Sequence, residues 1–278
     1  MQVRALQMPA EDTDAAARLA AMRWFVIDAA SDGADVVVFP ELAPTGYGVG
    51  DPLRDAAEAE DGATIAEIKR LSEEQGVTVV FGLAVRARSG VVNAAVVTQP
   101  GRPTIVYAKQ HLFGAYEKAL FAPGTQASPI FEVAGRKAGV LICFDVEFPE
   151  RVRELAMAGA EIIFVPTALP DGPASRFIAE CVVPVRAFEN HVFIVYVNHV
   201  GRDGRYGYQG LSCIAAPDGT RIAVAPDNRV GVIEATIDGS DYAASVETNP
   251  YLDELRAYAV RRGESVTAKD LEGPIWAR

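Results

Sequence analysis

The chain has 278 residues, 50% of them apolar and 23% charged, which is the balance of a globular protein rather than a disordered one. Its 26 Lys and Arg against 37 Asp and Glu leave a net charge of −11, a surface that repels a phosphate backbone and makes nucleic acid and anionic membrane poor partners. Three widely spaced cysteines, Cys143, Cys181 and Cys213, form neither a disulfide framework nor a zinc pattern and suit a reducing compartment.

Gln2 to Gln7 reads as a first strand. Ala, Leu, Met, Trp and Ile recur at helical spacing from Asp14 to Ala30, with Thr13 or Asp12 as the N-cap. Ala34 to Glu41 is a continuous apolar run, as in a strand buried on both faces. A helix at Ile65 to Gln75 and a strand at Val77 to Arg86 follow. The rhythm then changes to strands without helices between them: Val91 to Thr98, Thr104 to Lys109, and Ile130 to Phe144 with a turn at Ala134-Gly135. A helix at Pro149 to Ala160, a strand at Glu161 to Pro166 and a helix at Ser175 to Asn190, the last despite Pro184, come next. Strands at Val192 to His199, Leu211 to Ala216, Arg221 to Ala225 and Val230 to Ile237 precede a polar tail from about Tyr242. This mixture suggests two sheets with helices outside, an α/β protein built as a four-layer αββα sandwich. No linker interrupts the chain, so one domain over residues 1–278 is expected. The N-terminal MQVRALQM lacks a signal-peptide core, and the run His191 to Asn198 is too short to span a bilayer; a cytoplasmic protein is expected.

The three histidines, His111, His191 and His199, have no metal-binding spacing, and no phosphate or dinucleotide loop is present, so no metal or cofactor is expected. Cys143 ends an apolar run, and Pro149 opens a helix just beyond it. A cysteine at a sharp strand-to-helix turn has the geometry of a nucleophile elbow, although a buried core cysteine fits the position equally well. Cys181 and Cys213 lie in apolar stretches and read as core. Glu41 ends the strand VVVFPE, where burial would raise its pKa toward that of a general base; a surface carboxylate is the plainer alternative. Lys109 ends TIVYAK and either stabilises an oxyanion or is a solvated surface lysine. Glu117, eight residues on, either orients Lys109, touches substrate or lies at the surface.

Three motifs in order, PELAPTGY (Pro40 to Tyr47), KQHLFGAYEKALFAPG (Lys109 to Gly124) and CFDVEFPE (Cys143 to Glu150), resemble the nitrilase, or carbon–nitrogen hydrolase, superfamily. The resemblance runs from about Val3 to Ile237. It implies the αββα sandwich, a homodimer or larger homo-oligomer, and metal-free acyl transfer at a Glu-Lys-Cys triad. Carried onto this chain, Cys143 is the nucleophile and Glu41 the general base and acid. Lys109 and the Phe144 backbone N–H hold the oxyanion, and Glu117 supports Lys109. Helices Pro149 to Ala160 and Ser175 to Asn190 and the tail, with its Trp276, are the expected oligomer contacts.

Several branches that bind a substrate carboxylate resemble each other in carrying Arg four residues after the nucleophile, where this chain has Glu147. The segments PELAPTGYGVGD and CFDVEFPE look most like the R-stereoselective amidase branch, which implies a small amino-acid-type amide as substrate. Tyr47, Glu147, Phe148 and Thr167 are then the candidate substrate contacts, with Glu147 either facing a substrate amine or pairing with Arg151 or Arg186. The competing expectations are a nitrilase, an N-carbamoyl or ω-amide hydrolase, and a non-catalytic scaffold on the same fold.

Overall fold

The computed structural model describes residues 1–11 and 14–262. Two six-stranded sheets organise them. The first has the strand order Gly231–Thr236, Gln2–Gln7, Val36–Val38, Thr78–Ala87, Gly90–Thr98, Ile105–Ala108. The second runs Arg221–Val224, Cys213–Ala215, Phe193–Val197, Ile162–Pro166, Arg136–Val140, Phe131–Val133. Each sheet has three adjacent parallel strands at its centre and antiparallel strands outside them.

Side-chain alternation explains why the central strands are apolar throughout. Val36 and Val38 point into the space between the sheets, with Val80, Ala95 and Val97 from the same sheet and Val140, Phe164 and Val195 from the other. Val37, Val79, Phe81 and Val96 point outward, against Met22, Phe25 and Val26 of the helix Ala15–Ser31 and Ile65, Ile68 and Leu71 of the helix Ala63–Gln75. The helices Pro149–Met157 and Val183–Asn190 cover the other sheet through Val152, Leu155, Val183 and Ala187. The result is the four-layer αββα sandwich, with both faces of each sheet buried.

The differences from expectation have local causes. The first helix is capped by Asp14, whose side chain accepts from Ala16 N–H at 3.0 Å; Asp12 and Thr13 lie outside the described residues. The run Ile130 to Phe144 is a hairpin, Phe131–Val133 and Arg136–Val140, followed by a 3-10 turn, Cys143–Glu147. Pro184 is tolerated because the turn before it, Ile178–Val182, is widened into a π-helix, a geometry that relieves the bond a proline cannot make. Cys181 is exposed rather than core, because it sits on the solvent side of that wide turn. The expected polar tail forms the helices Ala243–Thr248 and Tyr251–Arg261, the second docked through buried Leu252 and Arg256. Trp276 lies outside the described residues.

Candidate active site

Glu41 stands three residues past the Val36–Val38 strand, still held against its neighbour. Phe39 N–H donates to Val80 O at 2.8 Å, Gly82 N–H to Pro40 O at 3.1 Å, and Ala43 N–H to Gly82 O at 3.1 Å. A Cβ on Gly82 would collide with Leu42 N and Glu41 Cα, so this approach requires glycine. Leu42 adopts φ of 52°, bending the chain sharply after Glu41. Lys109 follows the strand Ile105–Ala108; its N–H donates to Asn93 O and its carbonyl accepts from Gly124 N–H, both at 2.8 Å. Glu117 lies on the short helix Gly114–Leu120. Cys143 opens the 3-10 turn with φ of 44°, a left-handed conformation that costs a non-glycine residue about 1–2 kcal/mol.

These elements bring three charges together in the interior. Lys109 Nζ donates to Glu41 Oε1 and to Glu117 Oε1, each at 2.7 Å, and all three side chains are 0% exposed. Asn93 Nδ2 donates to Glu41 Oε1 at 2.6 Å, Tyr47 OH to Glu117 Oε1 at 2.8 Å, and Phe113 N–H to Glu117 Oε2 at 2.7 Å. Glu41 Oε2 is buried and has no hydrogen-bond partner among the described residues. Burial therefore pushes Glu41 up to about 7, against the pull of Lys109. Burial also works against the Lys109 ammonium, but Glu41, Cys143 and Glu117 together outweigh it and hold Lys109 above the usual lysine range. Cys143 is buried in the same cluster. Burial and then Glu41 push its thiol well up, while Lys109 and the Ala168 N–H pull the other way. The cluster thus holds a thiol kept in its neutral form and a carboxyl group with one buried, unbonded oxygen, the two kinds of group that base-assisted thiol attack requires.

The remaining sequence-derived candidates divide by what they touch. Phe144 and Phe148 form an aromatic wall, with ring centroids 5.0 Å apart and Phe113 at 5.3 Å from Phe144. Glu147 is half-buried, near enough to Lys109 and Arg186 to feel both charges; burial dominates and pushes it up to about 7. Neither expected arginine pairs with its carboxylate: Arg186 donates to the Val146 and Glu147 carbonyls and to Glu189, and Arg151 to Gln110 and Glu154. Thr167 is fully buried and donates its hydroxyl to Val165 O at 2.9 Å, while its carbonyl accepts from Glu41 N–H at 3.3 Å. Tyr47 is engaged with Glu117.

Sequence reasoning missed Asn93, Asp145 and His199. Asn93 interrupts the apolar strand Gly90–Thr98 while fully buried, a mismatch that could have flagged it. His199 Nε2–H donates to the Glu41 carbonyl at 2.7 Å, and burial pushes its pKa down to about 3, so it stays neutral. Asp145 receives four hydrogen bonds around the Cys143 turn. Among the described residues no group of three or more His, Cys, Asp and Glu could hold a metal ion.

The family profile of carbon–nitrogen hydrolases matches residues 2–245. This chain belongs to the carbon–nitrogen hydrolase family. It is 36% identical over 261 residues to a protein of Pseudomonas protegens described as a hydrolase in the pqqF 5′ region, covering 92% of this chain and 89% of that one. It is 32% identical to an (R)-stereoselective amidase of a Pseudomonas species, covering 92% and 87%, and 32% identical to a Bacillus subtilis 2-oxoglutaramate amidase, covering 84% and 89%. Its fold superposes on the crystal structure of an amidase from Nesterenkonia sp. with a TM-score of 0.77 at 27% identity, over 95% of this chain and 96% of that one. A variant of that amidase carries acrylamide added to its active-site cysteine. The protein is thus a carbon–nitrogen hydrolase of the amidase type, in the nitrilase superfamily.

Proposed function

We propose that this hydrolase cleaves a small carboxamide to a carboxylic acid and ammonia through a thioester on Cys143. The observation that carries the reading is the buried Lys109 bridging Glu41 and Glu117 beside a thiol held in a left-handed turn. Glu41 takes the thiol proton on its unused Oε2 as sulfur attacks the amide carbon. Lys109 and the Phe144 N–H stabilise the oxyanion, and Glu41 returns the proton to the leaving ammonia. Glu41 then takes a proton from water, which attacks the thioester; collapse releases the acid and restores the thiol. Each such group contributes about two to three orders of magnitude in rate. Glu117 acts through Lys109, since both its oxygens are occupied by Lys109, Tyr47 and Phe113.

The substrate class we favour is an amide bearing an amine, because Glu147 offers the site an unpaired carboxyl group. The similarity to an (R)-stereoselective amidase supports the same choice. We further read the assembled form as a homodimer. Phe177 and Val185 on one outer helical segment, and Leu255, Tyr258 and Val260 on the last described helix, are exposed apolar side chains that a second copy would cover. No helix of the described residues is long and apolar enough to cross a membrane. The deciding experiment is ammonia release by wild type and Cys143→Ala from nitriles, aliphatic amides, amino-acid amides, ω-amides and N-carbamoyl amino acids. Turnover of amino-acid amides by wild type alone supports the proposal; turnover by Cys143→Ala contradicts it.

A further inference from the structure

The Asp145 carboxylate is fully buried two residues beyond Cys143, and it joins two segments that are distant in sequence. Its Oδ2 accepts from Tyr107 OH at 3.0 Å and from Ile142 N–H at 3.3 Å. Its Oδ1 accepts from the His111 N–H and from His111 Nδ1–H, both at 2.9 Å. Tyr107 and His111 lie two residues before and two after Lys109, while Ile142 directly precedes Cys143. The His111 ring also stacks on Phe148, with centroids 3.9 Å apart, and so holds the far end of the turn that Cys143 opens.

We propose that Asp145 is a positioning residue that sets the spacing between Lys109 and Cys143 by clamping both flanks of the lysine to the turn carrying the thiol. Three physical points support it. First, the left-handed Cys143 backbone is strained and needs an external brace, which the Ile142 N–H bond and the Phe148 stack supply at either end. Second, an oxyanion donor on one strand and a nucleophile on another work together only if their separation is kept to a fraction of an ångström. An error near 1 Å costs about a hundredfold in rate. Third, no other side-chain carboxylate among the described residues is bonded to both flanks of Lys109 and to the cysteine turn.

The test measures kcat, KM and melting temperature, together with the rate of Cys143 alkylation by iodoacetamide, in four variants. Tyr107→Phe removes one donor and adds nothing; it should lower kcat about tenfold. Asp145→Asn turns one acceptor into a donor facing donors; it should lower kcat about a hundredfold. In both, KM should stay within about threefold, because the clamp does not touch substrate. His111→Asn keeps an N–H donor near the Nδ1 position and should retain more kcat than His111→Leu. If Asp145→Asn fails to fold, Tyr107→Phe carries the test. Wild-type kcat per folded molecule in Tyr107→Phe, or equal losses in His111→Asn and His111→Leu, would overturn the proposal. The inference rests on the thioester reading, but the two fail separately. An active Cys143→Ala would sink that reading, whereas an inactive Cys143→Ala beside an unimpaired Tyr107→Phe would sink this one.

Discussion

Replacing Glu41 by Gln should move two properties of Cys143 in opposite directions. The substitution keeps the size of the side chain, and its carbonyl can still accept from Lys109 and Asn93 at the position of Oε1. It removes the proton acceptor at Oε2 and one negative charge. Amide turnover should therefore fall by about two to four orders of magnitude, the usual contribution of a general base. The thiol, however, is held up by burial and then by Glu41, with Lys109 opposing. Without Glu41 the Lys109 ammonium acts on the sulfur with only Glu117 against it. A unit charge at ~4 Å and an effective dielectric near 20 is worth up to about 4 kcal/mol, so even half of that raises the thiolate fraction about thirtyfold at a pH below the thiol pKa. The assay is parallel measurement of ammonia release and iodoacetamide alkylation at pH 7.5, with Cys143 occupancy read by peptide mass. Turnover should drop while alkylation speeds up. If alkylation slowed together with turnover, Glu41 would serve as the base for alkylation as it does for amide attack, and the claim that its charge mainly suppresses the thiolate would be wrong.

Wild-type kcat/KM should rise with pH through a midpoint near 7, because Glu41 must be ionised to take the proton and is pushed up to about 7; a flat profile from pH 5 to 8 would argue against it as the base. Glu147→Gln should weaken the preference for prolinamide over propionamide in kcat/KM and leave propionamide nearly unchanged; an equal loss on both would make Glu147 structural. The same variant should change stability with a defined sign. A carboxyl with a raised folded pKa binds its proton more tightly in the native state, so its contribution is lost as pH rises from about 4.5 to about 7. After allowing for its partial exposure, Glu147→Gln should be more stable than wild type by about 1–2 kcal/mol at pH 8, and the difference should vanish at pH 4 by denaturant titration. Gly82→Ala should cost several-fold or more in kcat, since the added Cβ displaces the backbone at Glu41 and Leu42; unchanged kcat would show that the close approach does not place Glu41.

Much of this architecture is legible because the central strands are buried on both faces. ADVVVFPE and EIIFVP are continuous apolar runs for that reason, and each ends where the site begins. The elements carrying Glu41, Lys109 and Cys143 were therefore readable from pattern, whereas their convergence was implied only by the family motifs and not by periodicity or composition. Lys109 alone looks like a surface lysine, and only the pairing of Ile105–Ala108 with Gly90–Thr98 shows it completely buried. The helix around Glu117 is seven residues long and opens on a glycine, too short for a periodic signal. The hairpin Val200–Arg202 with Gly207–Gln209 has only three residues on each side and left no alternation to read. Asp145 and Asn93 are ordinary polar letters until the partners 34, 38 and 52 residues away are in place. Helices beyond Tyr242 were hidden because Ala243–Thr248 is only six residues long and buries no side chain, and Tyr251–Arg261 buries Leu252 and Arg256 while leaving its apolar Leu255, Tyr258 and Val260 exposed, so no single apolar stripe marks it.

The central claim is a thioester on Cys143. The direct measurement is rapid acid quench of the enzyme turning over an amide substrate, followed by peptide mapping by mass. The account predicts an adduct with the mass of the acyl group on the peptide containing Cys143, and none on Cys181, although Cys181 is the exposed thiol and Cys143 the buried one. An adduct confined to Cys181, or full turnover with Cys143 unmodified under conditions where deacylation limits the rate, would contradict it.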